Sequence, residues 1–167
     1  FANTFVLYSK SHDFYSSNSK ITPNYTLSEK IIIKDRDILS FTSSADRYFK
    51  SLKSNLKINL GISQTNSKNI VNNSNLRDVK NFGAEYGFEM RSGFRGVFNY
   101  NIGSKWNYNE VKTATKISFT DNMSFVDMSF VFNDHFNLEI QSERYLFGNL
   151  DKNNNTYYFL DVEARYA

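Results

Sequence analysis

The sequence predicts an all-β protein, an antiparallel up-and-down meander of about eight strands belonging to a transmembrane β-barrel, partial or small and closed. Three observations predict it. Apolar side chains recur at every second position in segment after segment, and no segment carries a 3.6-residue stripe. The aromatic share is 17%, from 16 Phe and 11 Tyr, in a chain rich in Asn and Ser with a mean hydropathy of −0.53. Connections alternate between short and long, as tight periplasmic turns and larger extracellular loops would.

The elements can be taken in order. Segments 4–15 and 31–49 are strand-like but irregular. Leu56, Ile58, Leu60 and Ile62 alternate with Lys57, Asn59 and Ser63. Phe82, Ala84, Tyr86, Phe88 and Met90 alternate with Gly83, Glu85, Gly87, Glu89 and Arg91. Phe98, Tyr100, Ile102, Trp106 and Tyr108 oppose Asn99, Asn101, Gly103, Lys105 and Asn107, with Ser104 the exception. The stretch 123–132 is blurred by the adjacent pair Phe125-Val126, where a β-bulge or a change of face is expected. Phe136, Leu138 and Ile140 alternate with Asn137, Glu139 and Gln141. Tyr158, Leu160, Val162, Ala164 and Tyr166 alternate with Asp161, Glu163 and Arg165. Successive strand side chains point to opposite faces, so each segment has one apolar and one polar side.

Short connections are expected over 51–54, 92–96 and 133–135, and longer polar ones over 16–24, 64–81 and 150–155. Aromatic pairs near strand ends, such as Tyr48 with Phe49 and Trp106 with Tyr108, suit interfacial girdles. The chain reads as a single domain over 1–167, a fragment of a larger barrel. A soluble all-β barrel or sandwich also alternates and stays open as a reading.

Several chemistries find no support. With no cysteine, disulfides and thiolate metal sites are excluded. The two histidines, His12 and His135, lack the spacing of a zinc site. The formal charge of +3, from 20 basic and 17 acidic residues, is balanced rather than a basic stripe, so no nucleic-acid partner is expected. No apolar run is long enough for a transmembrane helix. The carboxylates Glu85, Glu89, Glu139, Glu143, Asp161 and Glu163 share faces with Arg91, Lys105 and Arg165, which suits a hydrated wall better than acid–base catalysis. Asp151 to Asn155 lacks calcium-loop spacing and reads as a surface turn. The run Lys34-Asp35-Arg36-Asp37 after three isoleucines reads as a solvated strand extension. No catalytic residue, metal or cofactor is expected, and an enzyme is the least favoured class.

Three stretches carry a family resemblance: Ser51-Leu52-Lys53-Ser54-Asn55-Leu56-Lys57, Asn69-Ile70-Val71-Asn72-Asn73-Ser74, and Tyr145-Leu146-Phe147-Gly148-Asn149 through Tyr157-Tyr158-Phe159-Leu160. They resemble the later barrel strands of TonB-dependent receptors from Bacteroidetes, outer-membrane transporters of 22 strands with an N-terminal plug. The resemblance implies a piece of barrel wall with extracellular loops, located in the bacterial outer membrane. The partners it implies are outer-membrane lipid, the remaining strands and plug, the TonB system through that missing part, and a surface lipoprotein. It further implies nutrient uptake as the function of the whole.

The alternation assigns the faces. Tyr86, Phe88, Tyr100, Ile102, Leu138, Ile140, Leu160 and Val162 are expected to face lipid. Glu85, Glu89, Arg91, Asn99, Lys105, Glu139 and Asp161 are expected to face the lumen. Two other arrangements compete. One is a self-contained eight-stranded outer-membrane barrel, an anchor or adhesin. The other is a soluble lipocalin-like ligand-binding barrel, with the aromatics inside.

Overall fold

A computed structural model describes residues 1–72, 75–93, 96–132 and 135–166, without the side chains of residues 17, 33, 34 and 71. Eight strands follow one another: β1 (Ala2–Ile21), β2 (Thr26–Phe49), β3 (Ser54–Val71), β4 (Arg77–Ser92), β5 (Phe98–Lys112), β6 (Lys116–Val131), β7 (Phe136–Leu146) and β8 (Thr156–Tyr166). They form one antiparallel sheet in the order β1-β2-β3-β4-β5-β6-β7-β8, the meander expected from the alternation. Among the described residues there is no helix, and β1 and β8 do not pair with each other. The expected turn at Asn133-Asp134, part of that over 92–96, and Asn73, Ser74 and Ala167 lie outside the described residues.

The register ties the periodicity of single strands into two continuous faces. Ile58 sits opposite Phe88, which sits opposite Ser104, which sits opposite Ser124. One row further, Met90, Ile102, Val126, Ser142 and Leu160 line up from β4 to β8. Slipping any strand by one residue would carry its apolar set to the other face, so the alternation fixes the pairing.

Among the described residues, no second layer covers either face. The accessible surface is 12254 Å², against about 8,500 Å² for a compact folded protein of 19.5 kDa. Among the described residues Ser54 alone has its side chain under 2% exposed, while Phe88 is 44% and Leu160 67% exposed. The buried described residues are Asn18, Ser54, Gly87, Asn99, Gly103, Ser104 and Asn122, none of them a large apolar group.

We infer that the sheet is concave on its polar face. The strand glycines Gly61, Gly83, Gly87 and Gly103 all lie on that face, and so do the hollows of the surface. Side chains converge on the inside of a curved sheet, and glycine relieves the crowding. At Gly103 an added Cβ would stand 2.5 Å from the Phe125 ring and 2.9 Å from the Phe88 carbonyl. Phe125 therefore lies over Gly103 from the opposite strand, an aromatic side chain covering a backbone that has none of its own.

Two expectations are corrected. The stretches 16–24 and 64–81 are largely strand, leaving joins over 22–25 and 72–76. Their polar composition hides them, because a hairpin wetted on both sides needs no apolar alternation. Backbone pairing continues to Ile21↔Thr26 and Asn69↔Arg77, and side chains such as Lys68 and Asp78 (3.8 Å) face each other across it. The loop at 150–155 does form, within a join over 147–155 closed by the Phe147 amide donating to the Asn155 carbonyl, with an inner turn from the Asn154 amide to the Asp151 carbonyl. Second, no bulge occurs at Phe125-Val126, where the register with β5 and β7 is unbroken. The irregularity is instead at Asp35, whose φ of 65° interrupts the β1–β2 register opposite His12. Beyond it β2 no longer pairs with β3, and the hairpin tip meets β3 through Asn18↔Ile70 and Ser19↔Val71.

Candidate functional site

The expected lumen residues Glu85, Glu89, Arg91, Asn99, Lys105, Glu139 and Asp161 share the concave polar face, and the expected lipid residues share the convex apolar one. What covers the convex face is not given by the register; its composition along the strands is more informative. Near the joins at 50–53, 93–97 and 132–135 lies a string of rings. Phe98 and Phe130 have centroids 4.9 Å apart, Phe130 and Phe132 6.1 Å, and Phe132 and Phe136 5.4 Å. Tyr100 ends this row, with its hydroxyl 2.6 Å from that of buried Ser54. Toward the opposite end lies a second group. Tyr86 stacks on Trp106 at 5.3 Å, and Phe82 meets Tyr108 at 6.0 Å. Between the two groups run Leu56, Ile58, Met90, Ile102, Val126 and Leu160, while Leu60 is level with Tyr86, Leu138 with Phe130, and Ile140 and Val162 with Tyr100.

The exception at Ser104 is part of a small polar network on this apolar face. Its hydroxyl is 2.8 Å from Ser124 Oγ and accepts from Asn122 Nδ2 at 2.9 Å. The same amide donates to the Lys105 carbonyl at 2.9 Å, and Arg144 reaches Asn122 Oδ1 at 3.4 Å. These groups satisfy one another, so Ser104 and Asn122 are buried without orphaned polarity.

The concave face carries many charged and polar groups. Arg91 lies 3.5 Å from Asp46, Arg165 pairs with Glu163 at 2.6 Å, and Asn101 donates to Asp127 at 3.3 Å. A hollow of about 320 Å³ is lined by Asn99, Asn101, Asp127, Ser129, Glu139 and Gln141. Alternation breaks on β1, where Phe5 and Leu7 lie on the polar face while Val6 and Tyr8 lie on the other.

Sequence reasoning missed an aromatic group on the concave face. Tyr145 stacks on Phe147 (6.2 Å, 9°), Phe159 meets Tyr145 edge-on (5.8 Å, 85°), and Tyr157 meets Phe147 (5.8 Å, 70°). Glu143 stands beside them, its Oε2 accepting from the Tyr145 hydroxyl at 2.8 Å. The available signal was the doublet Tyr157-Tyr158, which in a strand must place one ring on each face.

The histidines are not brought together. His12, on β1, lies 3.6 Å from Asp35, and His135, just before β7, lies 6.5 Å from the Tyr166 ring. Among the described residues no group of three or more His, Cys, Asp or Glu is placed to hold a metal. No known protein-family model matches the chain, and neither a curated protein nor a solved structure matches it.

Proposed function

We propose that this chain forms part of the wall of an outer-membrane β-barrel, with its convex face in lipid and its concave face toward a water-filled lumen. The observation that carries this reading is the pair of aromatic groups bounding the apolar face. From Phe98 to Tyr108 along β5, at about 3.4 Å per residue, the strand runs about 34 Å. Tilted by about 40°, it spans about 26 Å of height, against an apolar band of about 25 Å between aromatic girdles in such barrels. The sense of the curl supports the same reading. A soluble lipocalin-like barrel would enclose its Phe and Tyr, whereas this sheet encloses Glu, Asp and Asn.

The larger assembly we propose is a TonB-dependent receptor of the Bacteroidetes kind, to which this stretch would contribute wall and outward-projecting hairpins. The sequence resemblance supports this, as do the two outermost strands, whose free edges call for pairing in lipid. Hairpins β1–β2 and β3–β4 outreach the 9–11 residues that a crossing requires and would stand above the membrane. Uptake of a nutrient would belong to the whole receptor.

The count of eight strands favours one competitor, a small closed barrel in which β1 and β8 meet. The intact mass of the polypeptide carrying this sequence in outer membranes separates them. The receptor predicts a mass several times 19.5 kDa. A mass near 19.5 kDa would overturn it in favour of the small barrel.

A further inference from the structure

We propose that the rings of Tyr145, Phe147, Tyr157 and Phe159, with the Glu143 carboxylate, form a binding site for an organic ammonium ion. The site lies on the concave face at the β7–β8 end of the sheet, around a hollow of about 400 Å³ lined by these five residues. Aromatic surface is out of place there. Phe147 is 37% and Phe159 55% exposed, beside Glu139, Gln141 and Asp161 of the same face. Ring faces attract cations through their quadrupole, and more strongly where water is partly excluded.

Charge selects the occupant. On the concave face β6 and β7 carry Asp121, Asp127, Glu139 and Glu143 and neither lysine nor arginine. The neighbouring cations are Lys105, across Met123 from Tyr145, and Arg165, which is taken up by Glu163. A chain with a net charge of +3 thus holds a locally negative concave surface beside the rings. The Tyr145 hydroxyl uses one oxygen of Glu143, leaving the other for an incoming cation. A hydroxyl-rich neutral ligand would gain the stacking but not the charge.

The site needs no lipid on the convex face, so its test is separate from that of the membrane reading. Choline serves as the probe and 3,3-dimethylbutan-1-ol as its neutral isostere. Both are titrated into the full polypeptide in a detergent without choline headgroups, and binding is read by calorimetry. The expected result is choline binding at least ~tenfold tighter than the alcohol, weakened ~tenfold by Glu143→Gln or Phe147→Leu. Phe147 stands in the join after β7, so its replacement leaves the strand pairing intact. Equal binding of alcohol and choline, choline binding indifferent to both substitutions, or preferential binding of glucose would each overturn the proposal.

Discussion

Gly103 and Gly61 both lie on the concave face, yet their surroundings differ, and the difference is measurable. An added Cβ at Gly103 would crowd the Phe125 ring and, at 2.9 Å, the Phe88 carbonyl, which belongs to backbone and yields little. At Gly61 the nearest atom is 3.6 Å away, ordinary contact. Gly103→Ala should therefore destabilise the sheet by about 1–3 kcal/mol, the usual range for overpacking. Gly61→Ala should change little. Urea unfolding midpoints in detergent check both. On the convex face, Ile102→Arg should cost about 2–4 kcal/mol of bilayer insertion near the midplane, and Leu138→Arg, opposite Phe130 in the aromatic row, less. Lys105→Ala and Glu139→Ala, on the other face, should insert like the parent, as the folded fraction in vesicles would report.

The β5–β6 hairpin ends beyond the apolar band in an ion pair, Lys116 Nζ to Glu110 Oε2 at 2.8 Å, which the Tyr108 hydroxyl joins at 2.6 Å. The hydrogen bond from Lys116, and then that from Tyr108, hold the Glu110 carboxyl below its ordinary 4.5. The same contact raises Lys116 above 10.5. A depressed carboxyl stabilises the hairpin above its ordinary value and loses that contribution as pH falls through the lowered one. The raised ammonium loses its share only at high alkaline pH. Exchange protection of the Thr113 amide, which donates to Thr115 at 2.8 Å, should accordingly be flat near neutrality and fall below about pH 4.5 once corrected for intrinsic rate. Glu110→Gln should remove that fall.

At the element scale the sequence told unequal amounts. Strands β3 to β8 could be read because one side of each is apolar, and Leu56 to Ile62 or Phe82 to Met90 make the period plain. The end of β1 past residue 15, the end of β3 past 63 and the start of β4 could not, since polar residues such as Asn18 and Ser19 crowd these stretches and give no alternation to read. The Phe125-Val126 doublet suggested a bulge because its reason lies on another strand. Phe125 points to the polar face to cover Gly103, a contact that needs the register before it can be seen. The box around Glu143 was hidden similarly, its four rings being gathered from two strands and a join.

For the whole molecule, the central claim is that the convex face meets lipid and the concave face water. Nitroxide labels placed singly at residues 102, 138, 140 and 162, and at 105, 139 and 161, in protein reconstituted into bilayers test it most directly. Power-saturation electron paramagnetic resonance then compares collision with oxygen, which concentrates in lipid, against a water-soluble nickel chelate. The account predicts oxygen-dominated collision at the first four sites and nickel-dominated collision at the last three. The same ratio at all seven sites, or the reverse assignment, would contradict it.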